Sequence, residues 1–205
     1  MKNPLNYQVT EYDCGPTTLL NGISFLFSRE KISPEVIKCI TAYSLDSYNY
    51  KGEAHKNGTS GMAMRFISSW LNSFGKVKKA PIYTEFVQGE DVNISQNSIL
   101  VGCIQQGGVV VAKVLLGCWH YVLITGIEGD YIYIFDPYYR KVGFKSDKIT
   151  MIKDAPTKWN RKVHFSVFNS EEKIFYAFGK KQERECLLMY NLSSRRTENQ
   201  IEYII

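Results

Sequence analysis

The pair Gly107-Gly108 splits this 205-residue sequence into two kinds of periodicity, and that split restricts the fold more than any other feature. Ahead of it, apolar residues recur at helical spacing. After Asp13-Cys14-Gly15-Pro16, the run from Thr17 to Phe27 sets Leu19, Leu20, Ile23, Leu26 and Phe27 three or four positions apart, and Pro16 suits a first helical turn. Ser33-Pro34 opens a second helix that runs to about Tyr43. The segment Ser60 to Phe74 places Ala63, Phe66, Ile67, Trp70, Leu71 and Phe74 on one face, with Gly75 as its stop. A shorter helical piece spans Ser98 to Gln106.

Beyond the glycines the residues turn β-branched and aromatic. Val109 to Val114, Tyr121 to Thr125 and Tyr131 to Phe135 read as strands, the last two joined by the hairpin chemistry of Gly126-Ile127-Glu128-Gly129-Asp130. Further strands are expected at Val163 to Phe168, Ile174 to Phe178, Cys186 to Tyr190 and Ile201 to Ile205. Helices first and an antiparallel sheet second is the segregated order of an α+β fold, with the N-terminal helices packed on the sheet.

The length favours one domain, with a compositional boundary expected near residue 160: residues 1–160 form the main domain, and residues 161–205 form a β-rich extension packed on it. The net charge of +5, from 25 basic and 20 acidic residues, is interspersed along the chain, so no nucleic-acid role is expected. Met1-Lys2-Asn3-Pro4-Leu5-Asn6 lacks the apolar core of a signal peptide, and no run approaches the about 18 apolar residues that span a bilayer. A soluble, cytoplasmic protein without a membrane span is expected. The cysteines Cys14, Cys39, Cys103, Cys118 and Cys186 are odd in number and contain no CxxC pair, which argues against a disulfide framework or a zinc ribbon. No metal or other cofactor is expected.

Thiol chemistry has a place to occur. The nucleophile is the thiolate, which a helix N-terminus favours, and the helical run places Cys14 at such an end. An imidazole nearby can take the proton and return it to a leaving group. Of the three histidines, His55 lies in a polar loop and His164 in a late strand without an acidic neighbour, while His120 begins a strand. If the following hairpin closes through Glu128-Gly129-Asp130 as a three-residue loop, Asp136 faces Val122 and shares a sheet face with His120. A two-residue loop changes the parity and separates them. Gln8 is the candidate side chain for an oxyanion hole, with the backbone N–H of Cys14 as the second donor.

Taken together, Gln8-x5-Cys14-Gly15-Pro16, His120-Tyr-Val-Leu-Ile-Thr-Gly126 and Phe135-Asp136-Pro137 resemble the bacteriocin-processing peptidases of the papain-like superfamily. Gly58-Thr59-Ser60 and Gln106-Gly107-Gly108-Val109-Val110-Val111 add to the likeness, which runs from about Tyr7 to Asp154. The resemblance implies a papain-like cysteine peptidase fold, a Cys14–His120–Asp136 triad with Gln8 in the oxyanion hole, and hydrolysis of a peptide bond through an S-acyl enzyme. The best-known members are the N-terminal domains of ATP-driven exporters and remove leader peptides after a double glycine. Here a stand-alone bacterial peptidase is expected, acting on a peptide or small acyl substrate, with a separate transporter left open as its partner.

Two other functions use the same residues. An acyl- or aminoacyltransferase would pass the thioester to an amine instead of water, and a binding module would keep the fold without turnover. Cys118, two residues before His120, is a rival nucleophile, whereas Cys39, Cys103 and Cys186 read as inert buried thiols. Trp119 is the tryptophan best placed to line a substrate groove.

Overall fold

The computed structural model describes residues 4–196, and the strand expected at Ile201 to Ile205 lies outside them. The order of elements is α1 (Cys14–Leu26), α2 (Pro34–Tyr43), α3 (Gly61–Lys78), β1 (Ile82–Gln88), α4 (Ile99–Gln105), β2 (Val109–Leu115), β3 (Trp119–Glu128), β4 (Tyr131–Phe135), β5 (Ile149–Met151), β6 (Arg161–His164), α5 (Phe165–Phe168) and β7 (Glu185–Asn191). This is an α+β architecture. Among the described residues, seven strands form one antiparallel sheet in the order β1-β7-β2-β3-β4-β6-β5, so β7, the last of them in sequence, lies between β1 and β2.

Both faces of the sheet are covered. On one, Leu19 and Ile23 of α1 and Ile67 and Leu71 of α3 pack on Val109, Val111, Leu123, Leu187 and Met189. On the other, Leu100 and Val101 of α4, together with Phe168, Tyr176 and Phe178, cover Val110, Ala112, Val122, Ile134 and Leu188. Burial on both sides explains why β2 reads as a continuous apolar run, Val109-Val110-Val111-Ala112, where a half-exposed antiparallel strand alternates. Each fully buried aliphatic side chain contributes about 1.5–3 kcal/mol. Among the described residues, no helix is long and apolar enough to cross a membrane.

Several local expectations are corrected. The third helix does not stop at Gly75 but continues to Lys78, and Lys79 supplies the left-handed cap at φ +52°. Gly75 is instead a close-approach glycine: a Cβ there would lie 2.6 Å from the carbonyl oxygen of Ile82. The run Val163 to Phe168 is a strand only to His164, whose side chain then caps α5 by accepting the Ser166 N–H at 3.2 Å. Ile174 to Phe178 is not a strand. It covers the sheet, touching β2 through Tyr176 N–H to Leu115 O at 2.7 Å and Leu115 N–H to Ala177 O at 2.8 Å. β1 and β5 carry no strong alternation and were not anticipated.

Candidate active site

α1 differs at its start from the other long helices. Ser33, Ser60 and Ser98 cap α2, α3 and α4 with their hydroxyls, but no side chain caps the first turn of α1. Asp13 occupies the N-cap position, yet its carboxylate turns back to accept from the N–H of Val9 at 3.0 Å, the N–H of Thr10 at 2.7 Å and the hydroxyl of Thr10 at 2.6 Å. Burial opposes its ionisation, but these hydrogen bonds outweigh it and hold the Asp13 carboxyl below its usual range. The loop before Cys14 is thereby ordered, and the first N–H groups of the helix stay available beside the thiol. Gly15 is required because a Cβ would collide with the hydroxyl of Thr59.

His120 is the second residue of β3, and Asp136 follows the last residue of β4, so both stand where these neighbouring strands meet the end of the sheet. Their register arises differently from the sequence expectation. The hairpin turn has two residues, Gly129-Asp130, because Glu128 pairs with Tyr131; Gly129 takes the positive φ (+54°) the turn needs. That loop alone would put His120 and Asp136 on opposite faces. A β-bulge at Thr125 restores the parity: Gly126 pairs with Tyr133, but Ile124 pairs with Ile134 and Leu123 with Phe135. The Thr125 hydroxyl anchors the bulge by donating to Lys158 O at 2.8 Å.

The imidazole and carboxylate are then in contact, His120 Nε2 to Asp136 Oδ1 at 2.8 Å, with both residues buried. With Nε2 engaged, Nδ1 is the nitrogen left for Cys14, whose side chain is close enough to raise the basicity of the ring. Burial alone would lower the basicity of His120. The hydrogen bond to Asp136, the nearby Cys14 side chain and the charges of both overcome it and push the imidazole up to about 9.

Asp136 is held from every side. Its Oδ1 also accepts the Tyr138 N–H at 2.8 Å, and its Oδ2 accepts the Tyr176 hydroxyl at 2.6 Å. Asn160 clamps its backbone, accepting its N–H and donating to its carbonyl, each at 2.8 Å. Burial works against the carboxylate, but the bonds from His120, Tyr176 and Tyr138 keep its pKa below the usual value. Sequence reasoning missed Tyr176 and Asn160. Tyr176 adopts φ +67°, a conformation costly for a residue with a Cβ, and two backbone bonds, from its N–H to Leu115 O and from the Leu115 N–H to Ala177 O, hold that segment in place. Nothing in its local sequence pattern pointed to the site.

Gln8 is tethered nearby, its backbone N–H donating to Pro137 O at 2.9 Å. Its side-chain amide donates to Thr10 O at 2.7 Å, and its Oε1 is buried without a partner among the described residues. Cys118 is exposed, and its thiol is pushed up, first by partial burial and then by the charges of Cys14 and Glu11. Burial raises Cys39 to about 11 and Cys103 to about 12, and drives Cys186 well up. His164 is a helix cap, while His55 sits exposed in a loop. Trp119 lies over Lys113, its ring 4.6 Å from the ammonium, and packs against Gly179. Among the described residues, no group of three or more His, Cys, Asp or Glu could hold a metal ion.

The arrangement can move one proton between a thiol and a carboxylate-oriented imidazole. No protein-family model matches the sequence, and no curated protein matches it.

Proposed function

We propose that the protein is a papain-like thiol peptidase, similar to the bacteriocin leader peptidases, with Cys14 as nucleophile. The observation that carries this reading is the buried His120, held 2.8 Å from the Asp136 carboxylate and raised in basicity by Cys14. His120 Nδ1 takes the thiol proton before the attack, giving a thiolate–imidazolium pair; the thiolate sulfur then attacks the substrate carbonyl, and the imidazolium gives its proton to the departing amine. An S-acyl enzyme remains at Cys14. Water then attacks the thioester, His120 takes a proton from it, and the thiol is regenerated with release of the acid. Asp136 fixes the imidazole orientation and balances its positive charge. The uncapped N–H groups at the start of α1, with the second amide N–H of Gln8, are assigned to the developing oxyanion.

The test compares two thiols. Exposure alone would make Cys118 react first with iodoacetamide, because Cys14 is buried. The proposed chemistry reverses this order at pH 7, and Cys14→Ala abolishes cleavage across a peptide library while the circular dichroism is unchanged. Faster alkylation of Cys118, or turnover retained by Cys14→Ala, sinks the reading. Release of a trapped acyl-enzyme by amines but not by water would assign a transferase instead.

A further inference from the structure

A cavity of about 810 Å3 shares no residue with the Cys14–His120–Asp136 group and has no part in the chemistry above. It lies between the 140–148 loop, Ile149 at the start of β5, α5 and the 170–175 segment. Its chemistry is two-sided. The inner surface is apolar: Ile149 and Val167 are buried, and the rings of Phe144 and Phe175 meet edge to face with centroids 6.0 Å apart. Its rim is cationic, with Arg140, Lys145, Lys148 and Lys173 against one carboxylate, Glu172.

Arg140 is built into the wall. Its Nε donates to Val142 O at 2.8 Å, and its guanidinium lies 4.6 Å from the Phe144 centroid and 5.6 Å from that of Phe175. Lys148 Nζ reaches the Ser166 hydroxyl at 3.4 Å. Among the described residues none of the four cations forms an ion pair, although six ion pairs occur elsewhere. Four cations and one carboxylate leave the cavity lining with an excess of positive charge, and an anion offsets it. The apolar inner wall exposes Phe175 and Ile174 to water, and a hydrocarbon chain covers them.

We propose that this cavity binds a single-chain anionic amphiphile, its head against Lys145, Lys148 and Lys173 and its chain against Phe144, Phe175 and Val167. The volume falls within the range of small-molecule sites, about 300–1,000 Å3. A bare anion leaves the apolar wall wet, and an uncharged chain leaves the rim unneutralised. Only a ligand with both parts uses both surfaces.

The experiment is calorimetric titration of the full chain with dodecyl phosphate and with dodecanoate, each below its micelle concentration, beside inorganic phosphate and dodecyl maltoside. Saturable one-to-one binding of the two anionic amphiphiles is expected, and the stronger of them identifies the head group. The combined Lys145→Glu, Lys148→Glu and Lys173→Glu variant should bind them at least about tenfold more weakly. All three lysines are exposed, so its melting temperature should stay close to that of the parent protein. Absence of saturable binding, equal affinity for dodecyl maltoside or inorganic phosphate, or unchanged affinity in the triple variant would overturn the proposal.

Discussion

Replacing Tyr176 by Phe removes one oxygen from the core and leaves the ring that packs 5.5 Å from Phe144. That oxygen is the donor Asp136 Oδ2 uses, at 2.6 Å, whereas Oδ1 keeps His120 Nε2 and the Tyr138 N–H. A hydrogen bond to a charged group is worth about 1.5–3 kcal/mol, and a buried carboxylate oxygen left without a donor bears its desolvation cost in full. A loss of about 2 kcal/mol is expected at pH 7, which with a urea dependence of about 2 kcal/mol per M lowers the unfolding midpoint by about 1 M. The pH dependence separates this cause from a packing defect. The Asp136 pKa is depressed on folding, so its contribution is present above the ordinary value of 3.8 and is lost as pH falls through the lower folded value. The variant raises that folded value, so its deficit should shrink below about pH 4. Urea titrations of both proteins across this range provide the assay. A midpoint within about 0.2 M of the parent at pH 7, or a deficit independent of pH, refutes the assignment of Tyr176 as the residue that positions Asp136.

His120 carries the opposite linkage. Its pKa rises from 6.5 to about 9 on folding, so protonation stabilises the native state by about 3 kcal/mol below pH 6.5, and this is lost as pH climbs through about 9. Cys14→Ala removes two of the influences that raise it, so the imidazole should titrate lower by proton NMR; an unchanged titration contradicts the thiol contact. Truncation after residue 160 deletes β7 from the middle of the sheet, with Cys186, Leu187, Leu188, Met189 and Tyr190 all buried. At about 2 kcal/mol for each, the loss is on the order of 10 kcal/mol, comparable with a whole domain's stability, so an insoluble product is expected and a soluble folded fragment would refute this account.

Helix positions were legible because each helix carries its own signal: apolar spacing, a serine cap for α2, α3 and α4, and Pro34 in the first turn of α2. β2, β3, β4 and β7 showed themselves through apolar, β-branched and aromatic content. The segment around Tyr176 has that same content because it too is buried, but against the sheet instead of within it. Local composition reports burial and does not say which neighbour does the burying.

The sequence by itself determined the α+β order, the helical start at Cys14, and the choice of Cys14, His120 and Asp136 as the residues to watch. Only the tertiary structure decided how they meet. A two-residue turn and a one-residue bulge at Thr125 jointly set the register, and neither is written in a period-2 pattern. Tyr176 reaches Asp136 from 40 residues away, and Asn160 from 24. Such contacts follow from chain packing, which brings together polar groups whose local sequences carry no trace of one another. A buried carboxylate must find its donors wherever the fold delivers them.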